Sequence, residues 1–161
     1  MQRELDRLAT YLDQDDRHVE DVSAWSIHKQ VEHTALVARQ ILQLVAGLES
    51  GAMGERGGWL RWPGHLVLAL GWIPRGKGVA PKALHPADTP DPDVVRGVIA
   101  EIRALHPERR PRRGGPRASH PHFGPMTARQ WARFLRIHTR HHLRIIRDIG
   151  RRAHVTARGP R

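Results

Sequence analysis

Apolar residues recur with helical spacing over four stretches of this chain. Leu5, Leu8 and Leu12 fall at i, i+3 and i+7, so residues 3–14 read as an amphipathic helix. A polar, acidic connection follows, "DQDDRHVEDVSAW". Ser26 then stands where a helix N-cap is wanted. Ile27, Val31, Ala35, Ala38, Ile41, Leu42 and Val45 hold the helical period until Gly51, a natural stop. A third helix opens at "DPDVV", with Asp91 as cap and Pro92 in the first helical position. Its apolar side is Val94, Val95, Val98, Ile99, Ile102 and Leu105, and Pro107 ends it. Thr127 and Gln130 form the T-x-x-Q of a capping box, opening a fourth helix to about Ile149.

Residues 51–90 are rich in Gly and Pro and show no long period. Within them "GHLVLALGW" predicts a short buried helix and "IPRGKGVAPKALHPADTP" an ordered crossover loop. With no convincing strand pair, the pattern predicts an all-α four-helix bundle whose long crossover contains a short extra helix. Residues 1–150 are expected to form the bundle and 151–161 a basic, flexible tail.

Composition narrows the chemistry. A chain of 161 residues is most simply one domain with a real core. Its opening stretch, "MQRELDRLATYLDQDD", lacks the apolar run of a signal peptide. Trp59–Ile73 is interrupted by Arg61, Pro63, Gly64 and His65 and falls short of the roughly 20 residues that span a bilayer. A cytoplasmic protein with no membrane partner is expected. The chain has no cysteine, which removes disulfides, thiolate zinc sites and cysteine nucleophiles. Any metal site must use His, Asp, Glu and water.

The net charge of +11 raises the question of nucleic acid. "ERRPRRGGPRA" at 108–118 and "RRAHVTARGPR" at 151–161 each contribute +4, leaving +3 for the other 139 residues. Both segments read as loop or tail. Arg outnumbers Lys by 24 to 3, a bias that genome composition alone produces. Nucleic acid is therefore the weaker expectation.

The histidines carry more. Of twelve, five lie in "HPHFGPMTARQWARFLRIHTRHHLRII", residues 120–146. On a helical wheel His138 and His142 share the side of Trp131, Phe134, Leu135, Ile145 and Ile149, while Arg133, Arg136, Arg140, Arg144 and Arg147 take the other. A buried imidazole with an unmet nitrogen costs on the order of 1–3 kcal/mol. A pair at i, i+4 facing the core suits a shared divalent cation, the alternative being two core histidines bonded to side chains or water. On the second helix His33 is the choice for a third ligand. His28 sits in the first turn, where solvent exposure is expected, and Glu32 points away from the core as a solvated charge. The zincin H-E-x-x-H is not met, because Thr139 occupies the place of its general base. "GERGGWLRWPG" lacks the Lys and Ser/Thr ending of a phosphate-cradling loop.

Together "WSIHKQVEHTALVA", with its Trp-Ser approach to a His-bearing helix, and the H-x-x-x-H of "IHTRHHL" resemble the DinB-like (DinB/YfiT) superfamily. The run from His120 to Ile146, with an H-P-x-F-G turn before the last helix, looks like a subgroup of it without an assigned function. The resemblance spans Trp25 to about Ile149. It implies a four-helix bundle, a divalent metal (zinc or nickel) on three His, which by position are His33, His138 and His142, and a homodimer. In some members it implies a thiol-dependent transferase or isomerase using a low-molecular-weight thiol.

Three neutral imidazoles leave a coordination position for water or substrate. The expected chemistry is a metal that activates water or a thiol, as in a thiol transferase or hydrolase acting on a small molecule. Without cysteine, the thiol must come from a cofactor or substrate. Pocket candidates are His120, His141, Gln30 and Trp131; His120 and His122 either overhang the site or cap the turn. Asp148 or Asp21 could orient a ligand His. Trp59–Ile73 reads as closing the bundle or a dimer seam in preference to walling a pocket for an apolar substrate, with Trp59, Trp62 and Trp72 as core in preference to a base-stacking surface. Two alternatives stand from other classes. One is a nucleic-acid-binding helical protein using its Arg-rich last helix and tail; the other is a non-catalytic metal-stabilised bundle.

Overall fold

The computed structural model describes residues 1–76, 78, 80–105 and 110–157, without the side chains of 155–157. Glu108 and Arg109 of the basic loop, the expected stop at Pro107 and the last four tail residues lie outside it. Among the described residues the elements are α1 (Gln2–Tyr11), α2 (Ile27–Ser50), α3 (Trp62–Leu70), a 3-10 turn (Lys82–Leu84), α4 (Pro92–Leu105), β1 (Arg117–His120), β2 (Gly124–Thr127) and α5 (Ala128–Ala157). The fold is an all-α bundle with one small hairpin.

The caps form as the sequence predicts. Ser26 accepts from the Lys29 amide at 3.4 Å, and Asp16 receives both the Ser26 hydroxyl (2.9 Å) and the His28 amide (2.8 Å). Asp91 accepts from the Asp93 amide at 2.9 Å. Gln130 reaches back to the Thr127 amide at 2.8 Å, completing the capping box. Gly51 ends α2 with φ 76°, a left-handed cap. α2 is the spine: Val31, Ala35, Ala38, Ile41, Leu42 and Val45 are buried against α4 and α5, with Leu5 and Leu8 of α1 beside them.

Three expectations are corrected. Residues 117–127 form an antiparallel hairpin, pairing Arg117 with Thr127, Ala118 with Met126, Ser119 with Pro125 and His120 with Gly124. Its strands are four residues long, with Gly and Pro inside and no alternating β-branched residues, so no local pattern announces them. The short helix α3 is also less buried than expected. Gly64, Val67 and Leu68 face inward, but Trp62 (73% exposed), Leu66 (49%) and Leu70 (69%) do not, nor do the flanking Trp59 (88%) and Trp72 (50%). A short helix that is apolar all round can offer the bundle only one side. Finally, α5 continues past Ile149 to Ala157, so residues 151–157 are helix where a flexible tail was expected. Gly150 does not break it, since a helix-interior glycine costs only about 1 kcal/mol. No helix among the described residues is long and apolar enough to cross a membrane.

Candidate metal centre

α2 and α5 pack side by side, and their inward faces bring three histidines together. Ring centroids lie 4.4 Å apart for His138–His142, 4.8 Å for His33–His142 and 5.3 Å for His33–His138. One ring nitrogen from each lies within 4.8 Å of the others. The three positions picked from sequence thus converge.

Hydrogen bonds orient the rings. His142 Nδ1 is 2.6 Å from Gln30 Oε1, and the Gln30 amide nitrogen donates to Ser23 Oγ at 2.7 Å. Ser23 Oγ also accepts from the Trp25 amide at 3.0 Å. With that amide group so turned, Gln30 offers only an acceptor, so His142 carries its proton on Nδ1. His33 Nδ1 lies 2.7 Å from the Leu84 carbonyl and must donate as well. Both residues therefore keep Nε2 unprotonated. Donation of the far N–H to an oxygen is the usual support of a metal-bound imidazole.

His142 Nε2 and His138 Nε2 are 3.2 Å apart. Zinc–nitrogen bonds of 2.0–2.1 Å place tetrahedral ligands about 3.3 Å apart, so this pair fits one ion. A hydrogen bond from His138 to His142 satisfies the same distance; in either arrangement the buried His138 Nδ1 has no partner among the described residues.

Burial keeps all three neutral. The basicity of His138 and His142 falls well below the usual histidine range, first through desolvation and then through the neighbouring imidazoles. His33 is lowered by desolvation, which outweighs the opposing effect of its bond to Leu84, with a smaller lowering from His85. Neutral imidazole is the metal-binding form.

The four pocket candidates take different places. Gln30 supports His142 from behind instead of lining a pocket. Trp131 is buried and donates to the Ala118 carbonyl at 3.1 Å, tying α5 to β1. His120 caps the hairpin turn: its Nδ1 accepts from the amides of His122 (3.2 Å) and Phe123 (3.3 Å), and its ring stacks on Phe123 at 4.2 Å. Burial, then the adjacent His122, pushes its pKa down to about 4. His141 is half-buried, edge-on to His142 at 5.1 Å. Desolvation lowers it, followed by the charges of Arg75 and Arg144.

Other expectations do not hold. Asp148 pairs with Arg75, and Asp21 is exposed, so neither orients a ligand. His28 is buried, not solvated, and bonds the Gln14 carbonyl at 3.0 Å. Glu32 is half-buried and accepts from the Ala87 amide at 2.8 Å, anchoring the crossover. Thr139 is buried, with its hydroxyl returned to the Leu135 carbonyl at 2.9 Å.

Three contributors escaped the sequence reading. The Leu84 carbonyl had no signal, because any residue supplies one. Trp25 lies against His33 at 4.8 Å, and His85 lies edge-on to Trp25 at 5.9 Å. The "WS" before α2 marked Trp25 as a helix approach, not as a wall of the site.

A family model described as "Protein of unknown function (DUF1569)" matches residues 72–149. That span holds His138 and His142 but not His33. No curated protein and no solved structure matches the chain.

Proposed function

We propose that the protein binds a divalent metal through His33, His138 and His142 and uses it on a small-molecule substrate, as the resemblance to DinB-like proteins implies. The single observation that carries this is the donor set itself: two Nε2 atoms 3.2 Å apart, with the Nδ1 atoms of His142 and His33 committed to oxygen acceptors. A structural core histidine also needs its N–H paired; what favours a metal is that one nitrogen from each of three rings lies within 4.8 Å of the others.

Bound there, a zinc or nickel ion supplies Lewis acidity for a water or a thiol, which suits a hydrolase or thiol transferase. The chain's part is to hold and orient. Gln30 and the Leu84 carbonyl hold protons on the outer nitrogens and aim the inner ones. Trp25, Phe134 and the bundle core keep the rings in apolar surroundings, where neutral ligands persist. A thiol has to arrive with substrate or as a low-molecular-weight cofactor, since no cysteine is present. The exposed apolar side of α3 supports pairing of two copies as a homodimer.

The test is elemental analysis of untagged protein after dialysis against zinc or nickel, beside His138→Ala/His142→Ala. Near-stoichiometric metal in the parent and its loss in the variant are expected. Equal trace metal in both would end the proposal, while full metal without turnover across thiol and ester substrates would leave a metal-stabilised bundle.

A further inference from the structure

We propose that a second site, distinct from the histidine cluster, binds phosphate groups in the groove between the β-hairpin and the start of α5. This cleft of about 400 Å³ is lined by Arg113, Arg117, Arg129 and Arg133, with Thr127 and Gln130 beside them. The four arginines come from three segments: the loop before β1, β1 itself, and the first two turns of α5.

Several arginines elsewhere in the chain are neutralised by carboxylates. Arg39, Arg75, Arg96, Arg103 and Arg140 each pair with a carboxylate. Among the described residues none of the four groove arginines does. Arg129 and Arg133 stand at i, i+4 on one helix, a mildly unfavourable like-charge placement that a shared anion relieves. Arg117 is held in place by donating to the Gly58 carbonyl at 2.9 Å. Thr127 and Gln130 satisfy one another through the capping box, so the polar residues beside the cleft ask nothing of a ligand. The N-terminus of the 30-residue helix α5 adds its positive dipole end at the same place.

Guanidinium forks match phosphate oxygens in pairs. Four arginines around one cleft exceed what a single carboxylate neutralises, so a multiply charged ligand suits it. That chemistry has two sources, a free oligophosphate or nucleotide, and the phosphates of a nucleic-acid backbone. This site is independent of the metal proposal.

The experiment uses the full chain and two probes. Tripolyphosphate is titrated by calorimetry, and a labelled single-stranded oligonucleotide by fluorescence anisotropy at several salt concentrations. Arg129→Ala/Arg133→Ala is compared with Arg3→Ala/Arg7→Ala, which removes the same charge from a different groove, one that already holds the Glu4 carboxylate. The expected result is binding that weakens about tenfold or more in the first variant and less than about twofold in the second. Selective loss with tripolyphosphate identifies a free anion as the ligand. Selective loss with the oligonucleotide alone, its salt slope reduced by about two, identifies backbone phosphates. Binding of neither probe, or equal weakening in both variants, overturns the site.

Discussion

Gln30 on α2 and His142 on α5, 112 residues apart in sequence, are joined by a 2.6 Å hydrogen bond from His142 Nδ1 to Gln30 Oε1. That bond fixes which nitrogen of His142 faces His138. It is the clearest link between how the helices pack and what the histidines can do.

Replacing Gln30 with Leu removes the acceptor while keeping bulk. Metal affinity should fall about 10- to 100-fold, the usual cost of losing such a support. Competition with a chromophoric chelator measures it; unchanged affinity would show that packing alone orients His142.

The crossover reaches the site through the Leu84 carbonyl, and Glu32 pins that loop through the Ala87 amide. Glu32→Ala should therefore weaken metal binding although residue 32 touches no ligand. The expected loss is smaller than for Gln30→Leu, with the helical circular dichroism unchanged. A parent-like affinity would mean that Leu84 is held by the rest of the loop.

Acid should unfold the metal-free protein early. The unfolded chain protonates its histidines near pH 6.5. His33, His138, His142, His141 and His120 are all lowered in the folded state, the last to about 4. Between those values the unfolded chain binds more protons, so stability is full above about pH 6.5 and is lost as the pH falls below it. Urea midpoints in chelator at pH 7.5 and pH 5 test this; equal midpoints contradict the buried, neutral assignment.

Trp62, Leu66 and Leu70 stand one turn apart along the outer side of α3. If two copies pair there, Leu66→Glu/Leu70→Glu should convert a dimer to monomers in sedimentation velocity without lowering the thermal midpoint of the fold. A parent chain that sediments as a monomer at high concentration removes the homodimer proposal.

Gly124 closes the hairpin turn at φ 75°, and a Cβ there would sit 3.3 Å from the Trp59 carbonyl oxygen and 3.1 Å from Arg61 Cγ. Gly124→Ala should cost at least about 1–2 kcal/mol from the backbone conformation alone. Chemical denaturation reads it directly.

The four principal helices, their caps and the trio His33, His138 and His142 were legible in the sequence, because helical period, capping residues and i, i+4 spacing are local properties. The hairpin was not: strands as short as 117–120 and 124–127 are held by pairing with each other and by Trp131 reaching Ala118, contacts that no local pattern encodes. Nor could sequence tell that His28 finds the Gln14 carbonyl, that Glu32 holds the crossover, or that three Trp stay outside the core. A residue's place on a helical wheel says which way it leaves its own helix. What it meets there depends on which other segment arrives. Leu84 and Gln30 acquire their roles only when the bundle closes around the three imidazoles.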